Sequence, residues 1–205
     1  MHPPDPAPGA RQLIVVTTPD WSSTSGRLQR YERADPAGSW RAVGDPVAVV
    51  VGRSGIAEPG AKREGDGKAP GGVFPLGTAF GFDTGAPTRL PYLPLRDTTE
   101  CVDDTASRFY NRIVDRNDVD PDWNSSEKMR RIGEYKRGIV VDYNAERTAG
   151  KGSCIFLHHW SGPSSSTAGC TAMAEADLLT ILGWLDPAAK PAIWIAGPAP
   201  ALPRG

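Results

Sequence analysis

The chain has 205 residues, 39% hydrophobic and 23% charged, which is enough for one well-buried core and too short for two ordinary domains. A formal net charge of −1 offers no global attraction to nucleic acid or to an anionic membrane, and the local Arg27, Arg30 and Arg33 cluster reads as a solvated strand face. No stretch approaches the ~20 apolar residues that span a bilayer, while 23 Gly and 20 Pro imply many turns and a mainly β fold.

Residues 1–10 read as a disordered Pro-rich tail, 11–197 as one domain and 198–205 as a second Pro-rich tail. The first residues lack the basic and apolar regions of a secretory leader. Residues 13–18 have strand character, and 47–51 are β-branched and bounded by Pro46 and Gly52, which predicts a buried strand. A polar loop follows over 53–68. Its Gly67-Lys68 pair invites comparison with a phosphate-binding loop, but Lys62 stands where the first glycine is needed and Ala69 where a hydroxyl is needed.

Residues 72–80 read as a strand and 81–94 as an irregular surface excursion, with Tyr92 and Leu93 packed over a groove. The segment 101–107 ends a short strand and opens a helical turn that Asp103 or Asp104 caps. The two carboxylates acting on a divalent cation or in acid–base work is the weaker alternative. Asn124-Ser125-Ser126-Glu127 has the form of a capping box and predicts a short helix over 125–132. Strands are expected at 138–143 and 191–196.

Most of the chemistry lies between Cys154 and Met173, which hold two of three histidines and two of three cysteines. Residues 153–160 have strand character, so alternation puts Cys154, Phe156, His158 and Trp160 on one face and His159 on the other. One histidine of the pair can therefore face Cys170, and alternation does not say which. Cys170 follows Thr167-Ala168-Gly169 and precedes a helical pattern over 174–185, whose Leu178, Ile181, Leu182 and Leu185 mark a core stripe. A cysteine where a glycine turn enters a helix would meet free N–H groups that favour a thiolate and can hold an oxyanion.

Four phrases carry a family resemblance: residues 65–74 (GDGKAPGGVF), 100–104 (ECVDD), the strand 153–158 and the turn 167–173 (TAGCTAM). Together they resemble the L,D-transpeptidase catalytic domain, often called YkuD. In that family the turn usually reads Ser/Thr-His-Gly-Cys followed by an apolar residue and Arg or Asn. Here Ala168 replaces the turn histidine, Ala172 stands where the Arg often binds substrate, and the loop from His158 to Cys170 is short, as in a divergent branch.

The resemblance implies a β-sandwich opened by a hairpin over 26–33 and 40–43, with a helix after the cysteine. It points to Cys170 as nucleophile, His158 as its base, and the backbone carbonyl of His159 as the group orienting the imidazole. The amides of Ala168, Gly169 and Cys170 would form the oxyanion hole. Trp160, Thr167 and Lys68 become substrate-binding candidates, with Lys68 or Arg137 open for a substrate carboxylate. The implied substrate is the peptidoglycan stem peptide, the implied inhibitors are carbapenem β-lactams, and no metal or organic cofactor is required. Water in place of an acceptor amine would make an L,D-carboxypeptidase.

An envelope location follows if a leader precedes this sequence. A Cys101–Cys154 disulfide with Cys170 free suits such a compartment, and two buried thiols fit the sequence equally. Readings from other classes are a metal site built from Cys154, His158 and Cys170, and a wall-binding module without turnover.

Overall fold

The structure, a computed structural model, describes residues 5–198. Its strands are β1 (Gln12–Thr17), β2 (Ser25–Glu32), β3 (Arg41–Val50), β4 (Ile56–Ala57), β5 (Ala69–Pro70), β6 (Gly72–Gly81) and β7 (Tyr92–Pro94). They continue with β8 (Thr99–Val102), β9 (Ile113–Asp115), β10 (Ser126–Lys128), β11 (Arg137–Val141), β12 (Phe156–His159), β13 (Thr171–Met173) and β14 (Ala192–Ala196). One α-helix, α1 (Glu175–Trp184), lies between β13 and β14. Short 3-10 turns cover Met129–Arg131 and Gly133–Lys136. The fold is mainly β, as the turn-rich composition and the strand patterns indicate.

The large sheet runs β11-β12-β13-β3-β2-β1-β14-β6-β7, and β11 also pairs with β6. That extra pairing closes the strands from β11 to β6 into a ring, with β7 beside β6 outside it. Inside it Ile14, Val16, Leu28, Val49, Val51, Ile139, Leu157, Met173 and Ile193 form the main core. Leu178, Ile181, Leu182 and Leu185 of α1 join the same cluster, so the helical stripe does pack as core. Each such side chain contributes about 1.5–3 kcal/mol by leaving water.

Expectation and structure part at several places, each for a local reason. Residues 41–50 form one strand through Pro46, where an end was expected. Proline is tolerated because β3 meets β13 only at Val49 and Val50, and because the β2–β3 register shifts between Leu28 and Arg30. Residues 5–10, expected to be part of a disordered tail, are packed on the body: Ala7 and Ala10 are buried, and Arg33 reaches Asp5 at 2.8 Å while lying 4.0 Å over Trp40. The 199–205 part of the C-terminal tail lies outside the described residues.

The expected helix over 125–132 is also absent. Residues 126–128 pair with β8 instead, and the 3-10 turns follow. A capping-box sequence gains little when its Glu127 and Ser126 have tertiary partners, as they do here. The small sheet β10-β8-β9 is built around Glu100, which is almost fully buried. Arg116 donates to it at 2.7 and 3.2 Å, Lys128 at 2.8 Å, Trp123 Nε1 at 2.7 Å, and Ser126 adds a hydroxyl. Burial alone would raise the Glu100 pKa, but these donors overcome it and hold the carboxyl well below the ordinary range. A disulfide, Cys101–Cys154, then ties β8 to the chain just before β12.

Replacing Glu100 should loosen this small sheet. Glu100→Ala is expected to lower stability by about 2–4 kcal/mol, since Arg116 and Lys128 are half exposed and can rehydrate. Because the folded pKa is depressed, the Glu100 contribution is complete above about pH 4.5 and is lost as pH falls. Urea midpoints between about pH 3 and 7 should therefore fall more steeply with acid for the parent protein than for the alanine variant.

Candidate active site

A cavity of about 350 Å³ opens where the small sheet covers β12 and the turn before β13. His158, Trp160, Thr167, Ala168, Gly169 and Cys170 all line it. His159 does not, because alternation along β12 turns it to the other side. The structure thus separates the two adjacent histidines, which the alternation pattern left undistinguished.

Cys170 is nearly buried and free, and its Sγ sits in a polar backbone cradle. The Phe156 amide donates to it at 3.3 Å, and it contacts the Cys154 carbonyl at 3.4 Å. Cys154 has φ of +54°, the left-handed region that L-residues other than Asn and Asp seldom enter. Two ties hold it there: the disulfide to Cys101, and its own N–H donating to Asn111 Oδ1 at 3.0 Å. That bend ends the regular strand, which begins only at Phe156.

The expected entry of Cys170 into a helix is corrected. Cys170 leads into strand β13, and α1 starts five residues later at Glu175. Among the described residues, the one α-helix starts beyond β13, so its N-terminus does not follow directly on the cysteine. Burial, with the nearby Glu127 carboxylate, pushes the thiol up to about 12, while the Phe156 amide, Tyr135 and Lys62 pull in the other direction. Burial also lowers His158, against the raising effect of its contact with the His159 carbonyl. That contact puts Nδ1 2.8 Å from the carbonyl oxygen of His159, which assigns the proton to Nδ1 and leaves Nε2 with the lone pair.

Of the three expected oxyanion amides, Gly169 N–H is already engaged by Thr167 Oγ1 at 3.1 Å. The same threonine hydroxyl donates to the Cys170 carbonyl at 2.7 Å, so Thr167 shapes the turn as well as the wall. Ala168 and Cys170 N–H groups find no backbone acceptor among the described residues.

The charged lining differs from the sequence expectation. Lys68 and Arg137 are not in the cavity wall. Arg137 is committed to Glu175 at 2.6 Å and Asp83 at 2.8 Å. Arg53 and Lys62 take their place, with Lys62 Nζ buried against Asp66 at 2.6 Å and the Arg63 carbonyl at 2.7 Å. The same wall carries Glu64, Asp103, Glu127, Glu134 and Tyr135. Glu64 accepts from Tyr110 and from Ser153 at 2.7 Å.

Glu127 escaped sequence reasoning because the capping-box pattern absorbed it, and Lys62 because it was tested only against a phosphate-loop pattern. No local signal marks either. Asp104, read as a cap, does accept from the Ala106 and Asn124 amides at 2.9 and 2.8 Å. A metal site of Cys154, His158 and Cys170 is excluded because the Cys154 sulfur is spent in the disulfide.

The family model for the L,D-transpeptidase catalytic domain matches residues 13–193, nearly all of the described chain. Comparison with curated proteins and with solved structures finds no match.

A thiol held this high should react slowly as a free nucleophile. Cys170 is expected to be alkylated by iodoacetamide at pH 7 at least about a hundredfold more slowly than an exposed, unperturbed cysteine. Intact mass against time, with a short cysteine peptide as the reference, checks this.

Proposed function

The chain belongs to the L,D-transpeptidase catalytic domain family, and from that premise we propose that it cross-links peptidoglycan stem peptides through a thioester on Cys170. The observation that carries the reading is a free cysteine and an oriented, neutral histidine in the wall of one cavity.

In the proposed reaction the pair rests as thiol and imidazole, not as thiolate and imidazolium. Burial favours that neutral state for both partners. Nδ1 is fixed on the His159 carbonyl, so Nε2 accepts the thiol proton as the sulfur attacks the carbonyl between an L-configured centre and the following D-amino acid. The tetrahedral oxyanion is held by the Ala168 and Cys170 amides, and Gly169 joins only if Thr167 Oγ1 releases it. Imidazolium then protonates the departing D-amino acid amine, leaving the acyl group on sulfur. An amine from a second stem peptide resolves the thioester.

Of the cations in the cavity wall, Arg53 suits a substrate carboxylate, because Lys62 is already paired with Asp66, and Trp160 and Thr167 are further contacts. The half-buried Lys68 lies outside the wall and drops out of this set. The disulfide supports an oxidising envelope compartment. Among the described residues, no helix is long and apolar enough to cross a membrane.

Carbapenem exposure followed by intact mass tests the acylation step. One adduct per chain is expected, abolished in Cys170→Ala and slowed by about 10²–10⁴-fold in His158→Ala. An adduct that survives Cys170→Ala sinks the assignment. With a tetrapeptide stem and an acceptor, a cross-linked dimer supports the transpeptidase, whereas tripeptide alone identifies an L,D-carboxypeptidase.

A further inference from the structure

Three L-residues linked by hydrogen bonds share the left-handed region: Asn111 with φ of +57°, Asn144 with +51° and Cys154 with +54°. Asparagine enters that region readily, and cysteine does not. Asn111 is the residue that joins them. Its Nδ2 donates to the Tyr143 and Asn144 carbonyls at 2.9 and 3.0 Å, and its Oδ1 accepts the Cys154 N–H at 3.0 Å. Two carbonyls on one side and an N–H on the other leave a single orientation for this amide. Its backbone is fixed as well, because the Asn111 N–H donates to the carbonyl of Val102, next to Cys101 in the chain, at 2.8 Å.

The angle φ at Cys154 therefore lies between two anchored sides. Asn111 holds the N–H side, and the disulfide holds the side of Cα and Cβ. Release of either lets the residue turn toward the negative φ that a cysteine favours, and its carbonyl then faces elsewhere. The next residues are held independently: the Ile155 carbonyl accepts the Val141 N–H at 3.0 Å, and Phe156 pairs with Val140. The Phe156 amide, 3.3 Å from the Cys170 sulfur, thus stays in place, whereas the Cys154 carbonyl, 3.4 Å from it, depends on the turn.

We propose that Asn111 is a positioning residue for Cys170: through the left-handed turn at Cys154 it holds the thiol hydrogen on the Cys154 carbonyl at rest, away from His158. The inference rests on Cys170 being the nucleophile.

Among the described residues, the hydrogen bonds of the sulfur go to these two backbone groups, and His158 is not one of its partners. An N–H on a lone pair and a carbonyl on the hydrogen fix both the side-chain rotamer and the direction of its proton. A carbonyl is too weak a base to take that proton, so the thiol rests neutral. Reaction then begins with a rotation about the Cβ–Sγ bond, which breaks the S–H···O contact and brings the hydrogen round for transfer to Nε2 of His158. The Phe156 amide keeps the sulfur aimed during the turn. As the proton passes to Nε2, the electron pair of the S–H bond becomes the new bond from sulfur to the substrate carbonyl carbon.

The test is the S–H stretch in the Raman spectrum. Cys170 carries the one free thiol of the chain, so the parent protein gives a single band. That band should lie at the lower wavenumber of a thiol donating to a carbonyl, below that of a thiol in hydrocarbon, and should not move in His158→Ala. Asn111→Gly accepts the left-handed backbone and removes the amide, so the band should shift up toward the hydrocarbon value. Asn144→Gly is the control for general loosening. It deletes side-chain bonds to Thr148 and Gly152 in the adjoining turn, leaves the Asn111–Cys154 bond alone, and should leave the band where it is. In carbapenem acylation, Asn111→Gly should lower the rate at saturation by about tenfold to a hundredfold with the half-saturating concentration unchanged.

A parent band at the hydrocarbon value overturns the proposal, as does a band that moves in His158→Ala or stays put in Asn111→Gly. An equal shift in Asn144→Gly, or a shifted Asn111→Gly band with acylation at the parent rate, also overturns it. If Asn111→Gly fails to fold, the parent and His158→Ala bands decide. A parent protein that takes no carbapenem counts against the proposed function, while the band still reports where the thiol hydrogen rests.

Discussion

A single backbone residue in the left-handed region sets the site. At Cys154 the chain arrives from a glycine-rich turn and must present a carbonyl to the Cys170 sulfur before it joins β12. An L-residue there costs on the order of 1–2 kcal/mol. The disulfide to Cys101 and the Asn111 side chain meet that cost from outside the strand. In a chain-entropy model, a bond closing a 53-residue separation stabilises by about 4 kcal/mol, which comfortably exceeds it. The strain is therefore supported by the small sheet, and the sulfur's environment depends on that sheet staying in place.

This dependence explains why one covalent bond and one carboxylate share the same short strand. Glu100 gathers donors from β10, from Trp123 before it and from Arg116 just after β9, while the adjacent Cys101 carries the link to Cys154. One residue organises the cover and the next fastens it to the chain beside Cys170. The same cover brings Glu127 into the wall of the cavity that Cys170 lines. Charge near the sulfur is thus set by an element remote in sequence from Cys170, and not by the turn that carries it.

Much of the architecture was legible from residue patterns. The β-branched and alternating stretches around Leu13, Val49, Val73 and Ile193 became strands, and the leucine stripe of α1 became core. Those signals work because burial on a two- or 3.6-residue period is a local property. The failures are places where tertiary contacts outbid local preference. Pro46 stays in a strand because it falls in the register shift between Val43 and Val47, where no ladder bond is required of it. Ser126 and Glu127 abandon a capping box because Glu100 and Tyr135 offer stronger partners. Cys154 breaks the strand because a disulfide holds it. At the site, the cysteine, histidine and turn were visible as a motif, whereas Lys62, Glu127 and Tyr135 reach the cavity only through folding and left no mark in their own neighbourhoods.

The pairing of β11 with both β12 and β6 has a further consequence. A strand at the end of an open sheet can peel away on its own, but a member of a ring can leave only if two seams part together. β12, which carries His158, is such a member. The imidazole therefore sits on one of the least easily frayed parts of the molecule, while the sulfur's cover is hung from outside by two adjacent residues. Breathing at the cavity should then come from the cover lifting over a rigid wall, so the cavity can open while His158 keeps its place on β12.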